Sequence, residues 1–472
     1  MRKQIVFLNL LFSVAMWNAQ ATVVKGSVKS TDGKPVENVV VTDGYRFTST
    51  NAQGEYSLDT DEAKSRFVYI STPSDYEIIA SEGWNRSFFL PINPSDEGKT
   101  YDFTLTRRDE PSKKFVYLAV SDPQVTNEQE LARYTNETLV DMQQTASRFK
   151  GKQEVYAMLL GDLVNDRMEL FEPLRKSMAS QGIVYSPVIG NHDHNQLYTA
   201  LSNLEDTKNG YAEARYESFF GPYNYSFNVG DIHIVALKDI DYIKDRKYTE
   251  RFGKEQLDWL KNDLSYVEPG TTVFINVHAP VFNQTDKGGG NARDAEEFRQ
   301  IVKDYNVHVF AGHTHFYENN QVSPTLYEHN IGAACGAWWA GHVNRCGAPN
   351  GYLVVEVDGA NVKWHYKATG RPADYQLRVY KPGEFKSAAG YVVANVWDWD
   401  SAWRVEWSED GQSKGAMERF DDEDQDYIDM HGKPEGYHTR HLFRCQPSSG
   451  AKQIEIRATN RFGETYKQTV VL

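Results

Sequence analysis

Five times between residues 115 and 315 the chain repeats one device, a short apolar run that stops abruptly at amide, carboxylate or imidazole side chains. FVYLAV leads into Ser121-Asp122-Pro123-Gln124, and VYAMLLG leads into Asp162. VYSPVIG leads into Asn191-His192-Asp193-His194, TTVFINV into His278, and VHVFAG into His313-Thr314-His315. An apolar run of this length with no polar alternation predicts a strand covered on both faces. Segments near 128–149, 169–181, 254–266 and 294–305 lie between the runs and carry apolar residues at helical spacing, as Leu131, Tyr134, Leu139 and Met142 do. Strands alternating with helices predict a layered α/β domain over residues 114–370, with helices outside the sheet. Chemistry in such domains gathers at the carboxyl ends of the strands. All five polar blocks are placed there.

The flanking segments follow another rhythm. Residues 22–108 alternate apolar and polar side chains in short runs broken by Gly, Asp and Asn, which predicts a small all-β sandwich. They resemble prealbumin-like (carboxypeptidase-regulatory-like) modules. They hold no cluster of ligand residues, so they read as a spacer or stability module, joined by a linker at residues 107–111. Residues 373–472 return to alternation (YQLRVY, YVVANVWDW, KQIEIRATN) and predict a second all-β module. Its Trp397, Trp399, Trp403 and Trp407 read either as strand packing or as an exposed binding strip. The acidic run Asp421–Asp426 is not an EF-hand loop: counted from Asp422, Tyr427 and Lys433 stand where that loop needs Gly and Glu. It reads as a solvated loop.

Residues 1–21 read as a signal peptide. Arg2 and Lys3 precede an apolar stretch from Ile5 to Met16, and Ala19-Gln20-Ala21 supplies small residues for cleavage. The stretch falls short of the roughly 20 residues a membrane span needs, and no later segment is apolar enough to supply one. The expected product is exported, periplasmic or extracellular. A formal charge of −14 repels nucleic-acid backbones and argues against general nucleic-acid binding, while a bound cation can still reverse the field locally for a small phosphorylated substrate. The three cysteines, Cys335, Cys346 and Cys445, form no zinc-knuckle spacing. Cys335 and Cys346 bracket one Gly-rich loop and are candidates to pair.

Asp, Asn and His without cysteine make a ligand set suited to Zn, Fe or Mn in a hydrolytic centre rather than to a structural zinc knot. Taken in order, Asp122-Pro123-Gln124, Gly161-Asp162, Gly190-Asn191-His192-Asp193, His278 and Gly312-His313-Thr314-His315 resemble the motifs of the calcineurin-like metallophosphoesterases. The flanking modules resemble those of a secreted bacterial branch of that family. The resemblance implies two face-packed β-sheets flanked by helices, and two divalent or trivalent transition-metal ions, Mn, Fe or Zn. It implies that Asp162 bridges the ions, that Asp122 and His315 hold the first, and that Asn191, His278 and His313 hold the second. His192 would protonate the leaving oxygen with Asp193 orienting its ring, and the attacking species would be a metal-bound hydroxide.

Two departures from the family pattern stand out. Gln124 occupies the place of a histidine, and an amide oxygen is a poorer ligand than imidazole. Asn165, three residues beyond Asp162, reads as a cap or turn residue. The substrate the resemblance implies is a phosphomonoester or phosphodiester, either a small molecule or a phospholipid or glycan phosphoester, with His194 and Arg293 as candidate contacts. Trp338 and Trp339 of the GAACGAWWAG loop belong beside the substrate or in the core. The rival reading is an envelope protein that binds glycans or phospholipid headgroups on a degenerate scaffold. Oligomeric state is left open by the sequence.

Overall fold

β1 (Lys114–Val120) shows why its sequence is apolar throughout: Phe115, Tyr117 and Ala119 are buried in one core, and Val116, Leu118 and Val120 in another. Alternate side chains point to opposite faces, so both faces must be covered. The computed structural model describes residues 22–472 apart from 62–63, 94–97, 111, 180, 197–210, 245 and 284–290. The expected signal segment, and residues 287–290 of the loop before Arg293, lie outside the described residues.

β2 (Glu154–Leu160) and β3 (Val184–Val188) run parallel beside β1. They are followed by the hairpin β4 (Tyr225–Val229) and β5 (Ile232–Ala236), then by β6 (Ile240–Lys244) and β7 (Lys247–Glu250). Next come β8 (Thr272–Asn276), β9 (Asn306–Ala311), β10 (Glu318–Ser323), β11 (Leu326–Asn330), β12 (Gly351–Asp358) and β13 (Asn361–Ala368). One sheet has the order β13-β12-β1-β2-β3, and the second is β4-β5-β8-β9-β11-β10. They share a core in which Tyr117 of β1 packs 5.3 Å from Phe274 of β8 and 5.4 Å from Phe310 of β9. The Tyr117 hydroxyl donates to Asn276 Oδ1 across the layers.

Helices cover the outer faces. α1 (Glu128–Arg133) is capped by Asn127, whose side chain accepts from the N–H groups of Gln129 and Glu130, each at 3.0 Å. The single helix expected over 128–149 is interrupted by a π-helical turn at Tyr134–Leu139 before α2 (Val140–Ser147). The predicted face is nonetheless buried, with Tyr134, Leu139 and Met142 inside the core against the first sheet. α3 (Phe171–Met178) and α4 (Ala214–Phe220) join that side. α5 (Lys254–Leu264) and α6 (Ala295–Val302) bury Trp259, Leu260 and Phe298 in the core that the two sheets share.

The N-terminal region is two small sheets, but it does more than precede the central domain. Its Ala80–Ser81 and Trp84–Asn85 strands extend the first sheet beyond β3, with Trp84 opposite Tyr185. The Trp84 indole donates to the Arg175 carbonyl at 3.1 Å, which satisfies its one polar group in the core.

The C-terminal region forms two four-stranded sheets over a core that includes Val405, Ile454, Ile456 and Phe443. Trp397 and Trp403 are buried, and Trp399 and Trp407 are partly buried with Trp399 and Trp407 packed against that core. The tryptophans therefore make no exposed strip. The acidic run is not a solvated loop either. Glu423 accepts the N–H groups of Glu435 and Tyr437 at 2.6 and 3.1 Å, and buried Asp424 caps α7 (Gln425–His431). Asp424 also takes the Asn395 amide at 2.7 Å, so its carboxylate holds a strand and a helix together.

Candidate metal centre

Three of the five motifs leave the end of a strand through a backbone conformation that L-residues rarely adopt. φ is +46° at Asp122, +41° at Gln124, +48° at Asp162, +68° at His313 and +53° at His315. Such angles are costly and persist where the surroundings over-determine them, as at functional sites. The motif glycines are needed for close approach. A Cβ on Gly190 would lie 2.1 Å from the Asp162 nitrogen, and one on Gly161 2.5 Å from His278 Nδ1. One on Gly312 would lie 2.6 Å from Asp122 Oδ2.

These turns bring together Asp162, His278 and His313, whose ligand-type atoms lie within 4.8 Å of one another. His278 Nδ1 donates to the Leu160 carbonyl at 2.7 Å, which leaves Nε2 with its lone pair facing inward. That Nε2 is 2.9 Å from Asn191 Oδ1, 3.3 Å from Asp162 Oδ1 and 3.0 Å from His313 Nδ1. Four electron-pair donors thus converge with no obligatory hydrogen among them, the arrangement a cation satisfies. Electrostatics agree. Burial opposes charge on His278, but Asp162, Asp122 and Asp239 outweigh it, so the negative field at this point favours positive charge, which a metal ion supplies in place of a proton on Nε2.

A second set adjoins the first through Asp162. His315 Nδ1 donates to the Gly336 carbonyl at 2.6 Å, so its Nε2 faces Asp122 Oδ1 at 3.7 Å. That carboxylate oxygen is buried and has no hydrogen-bond donor among the described residues. Gln124 also reaches the centre, where its Nε2 stands 3.2 Å from Asp162 Oδ2. Ligation through the Gln124 carbonyl therefore requires its amide turned over. Cys335 and Cys346 are not paired: Cys335 Sγ lies 3.6 Å from His315 Nδ1, while Cys346 Sγ accepts the Tyr317 N–H at 3.2 Å.

The ring of His192 is held by a residue other than the one expected. Its Nδ1 is 2.9 Å from Asp166 Oδ1, and its backbone N–H donates to Asp162 Oδ1 at 2.8 Å. Asp193 is turned away from the ring because its carboxylate takes three N–H groups, from Gly190 at 2.9 Å and from Leu163 and Val164 at 3.2 Å. Burial, reinforced by the charge of Asp162, raises Asp193 to about 7. Asn165 ties its side chain to Thr126 at 3.1 Å and stays outside the cluster.

The two candidate substrate contacts divide. His194 is fully buried, stacked on Tyr242 at 4.7 Å, and bonded through Nδ1 to the Gly190 carbonyl at 2.8 Å. It supports the Asn191 loop and offers no surface to a substrate. Arg293 keeps an exposed side chain, and its N–H donates to the Glu250 carbonyl at 3.3 Å near the rim. Trp339 is a core residue whose indole donates to the Pro123 carbonyl at 3.1 Å. Trp338 is 45% exposed and lies over the His315 ring at 4.8 Å, beside Arg345.

Sequence reading missed the hairpin β6–β7. Tyr248 and Glu250 share one face of β7 by strand alternation, and with Arg246 of the preceding turn they meet the site. Arg246 reaches Asp166 Oδ2 at 3.0 Å, Tyr248 packs edge-on to His313 at 5.9 Å, and Glu250 Oε1 is 3.2 Å from His313 Nε2. The period-two pattern RKYTE was the available signal, but no ligand motif marks it.

Fold and site together define a two-sheet α/β domain with a candidate metal centre at the strand ends of both sheets. Residues 115–317 match the family described as calcineurin-like phosphoesterase, residues 22–108 its N-terminal part and residues 328–466 its C-terminal part. The chain belongs to the calcineurin-like phosphoesterases, with the N- and C-terminal modules of that family. It is 31% identical over 139 residues to a probable purple acid phosphatase of Arabidopsis thaliana, a match spanning 27% of this chain and 30% of the plant protein. Among solved structures, a purple acid phosphatase from Lupinus luteus is similar over 73% of this chain and 66% of its own, with 12% identity and a TM-score of 0.40. A dimetal phosphatase from Danio rerio is similar over 55% of this chain and 97% of its own, with 13% identity and a TM-score of 0.38. These structural likenesses are slight, and the family assignment rests on the three family matches.

Proposed function

We propose that the chain is an exported hydrolase of phosphomonoesters or phosphodiesters that works with two transition-metal ions. The observation that carries this reading is the convergence of Asn191, Asp162, His278 and His313 as electron-pair donors around one point. Asp162 would be shared between the ions, with Asp122, Gln124 and His315 on the first and Asn191, His278 and His313 on the second. Such ions, when bound, supply positive charge for phosphoryl oxygens and make water a nucleophile at neutral pH.

The chain's own residues do the rest. His192 is anchored by its backbone on Asp162 and by Nδ1 on Asp166, which leaves Nε2 to give a proton to the leaving oxygen. Burial opposes its charge, but the carboxylates of Asp162 and Asp166 outweigh burial and raise it to about 9 in the metal-free protein, and Asp166 beside Nδ1 favours the protonated ring when ions occupy Asp162. Arg246 keeps Asp166 in place from the solvent side at 3.0 Å. Export rests on the basic start, the apolar stretch and Ala19-Gln20-Ala21, and the signal-like start together with the flanking modules supports a place among the secreted bacterial members.

The test is to purify the mature chain, measure bound metal, and assay phosphomonoesters, diesters and phospholipid headgroups with Mn, Zn or Fe supplied. About two ions per chain are expected, with turnover lost in Asp162→Ala and His192→Ala. A chain that takes up no metal and turns over none of the panel refutes the reading.

A further inference from the structure

The three inward-facing histidines do not present the same nitrogen. His278 and His315 give their Nδ1 protons to backbone carbonyls, Leu160 O at 2.7 Å and Gly336 O at 2.6 Å, which turns Nε2 toward the centre. His313 is reversed. Its Nδ1 stands 3.0 Å from His278 Nε2, and its Nε2 points outward to Glu250 Oε1 at 3.2 Å. We propose, resting on the metal-centre reading above, that Glu250 is a positioning residue that sets the tautomer and orientation of His313. Its carboxylate only accepts, so the single proton of neutral His313 sits on Nε2 and the lone pair stays on Nδ1, aimed at Asp162 and His278. A carboxylate behind a ligand imidazole also makes that ligand more basic.

The residue is delivered by an element outside all five motif blocks. Glu250 ends β7 and pairs with Ile240 of β6. Ile240 and Tyr242 are buried with Ala212 and Ala279, and Tyr248 packs against that cluster. The Glu250 carbonyl accepts the Arg293 N–H at 3.3 Å, which pins the backbone from the other side. Asp239, just before β6, accepts the N–H groups of His278 and Ala279 at 3.1 and 2.8 Å. The hairpin therefore grips the His278 loop at its start and the His313 ring at its end. One hairpin thus touches two candidate ligands that follow different strands, β8 and β9.

The test reads metal binding, not turnover. The metal-stripped full chain is titrated with Mn²⁺, and separately with Co²⁺ followed by absorbance, as wild type, Glu250→Ala, Glu250→Gln and His313→Ala. Glu250→Ala is expected to weaken one of the two sites about 10- to 100-fold and to leave the other within about twofold. Glu250→Gln, whose amide oxygen can accept the same N–H, is expected to recover most of that loss. His313→Ala is expected to weaken the same site further. Unchanged affinities in Glu250→Ala overturn the inference and leave the metal reading standing. Equal losses at both sites, or no recovery in Glu250→Gln, also overturn it, because a damaged hairpin would act that way. A wild-type chain that binds no metal overturns the functional reading beneath it.

Discussion

Asp166, not Asp193, holds the ring of His192: its Oδ1 is 2.9 Å from Nδ1, and its other oxygen is clamped by Arg246 at 3.0 Å. The two carboxylates therefore fail in different ways. Asp166→Ala frees the ring and should lower kcat about 10- to 100-fold with little change in melting temperature. His192→Ala should lower kcat by about 10²- to 10⁴-fold, and adding Asp166→Ala to it should cost little more, because the two act as one unit. Asp193→Ala leaves three buried N–H groups unpaired and should cost about 2 kcal/mol or more of stability. Steady-state kinetics beside urea unfolding separates the cases. Equal kcat losses with no stability loss in Asp193→Ala would return the orienting role to Asp193.

The Gly190 site has no room for a methyl group. A Cβ there would lie 2.1 Å from the Asp162 nitrogen and 2.2 Å from its Oδ1, so Gly190→Ala must displace the Asp162 carboxylate. A loss of about 1–3 kcal/mol in unfolding free energy is expected, together with reduced metal content. Gly182 is the control: its φ is +69°, but no atom lies within 4 Å of a Cβ there. Gly182→Ala should cost about 1 kcal/mol, from the backbone alone, and leave metal content unchanged. Normal metal loading in Gly190→Ala would mean that the loop opens without moving Asp162.

The motif residues were legible because their signal is local. A strand buried on both faces must be apolar, and its polar tip is conspicuous, so Asp122, Asp162, Asn191, His278, His313 and His315 could be placed in order. The partners of those residues were not legible, since they arrive from elsewhere in the chain. Glu250 and Arg246 lie on a hairpin whose sequence carries no ligand pattern, and strand alternation becomes informative only once one face is known to meet the site. Asp193 adjoins His192 in sequence and was expected to orient it, but backbone N–H groups occupy its carboxylate and Asp166 takes the ring instead. The acidic run at 421–426 misled for a related reason. Charge in sequence suggests solvent, but Asp424 is buried because Asn395, Tyr380 and a helix start all need its oxygens.

Gln124 is the departure whose consequence is easiest to measure. Its amide nitrogen faces Asp162 Oδ2 at 3.2 Å, beside a buried and donorless Asp122 oxygen. Replacing it by histidine puts an imidazole, which suits Zn, Fe and Mn better, where an amide now stands. Gln124→His should tighten the first site at least about tenfold, or about 1.4 kcal/mol, in a competition titration. Identical titrations in both proteins would remove Gln124 from the ligand set.

The C-terminal module gives the protein an acid-side weakness. His441 is buried where the module meets the catalytic domain, with Nδ1 2.6 Å from Asn395 Oδ1 and Nε2 3.2 Å from the Tyr317 carbonyl. Burial lowers its pKa from 6.5 to about 3, outweighing the Tyr317 carbonyl, which favours the charged ring. The folded protein thus keeps this ring neutral where the unfolded chain would protonate it, so the stability it contributes is complete above about pH 6.5. As pH falls from there toward 3, the unfolded state binds the extra proton and stability drops by about 1.4 kcal/mol per pH unit for this group. Other groups titrate in the same range, so the informative quantity is a difference between two proteins. His441→Gln should be less stable than wild type at pH 7.5, with a gap that narrows by about 1.4 kcal/mol for each unit between pH 6 and pH 4 in urea unfolding. A gap that stays constant across that range would mean that His441 is charged in the folded protein.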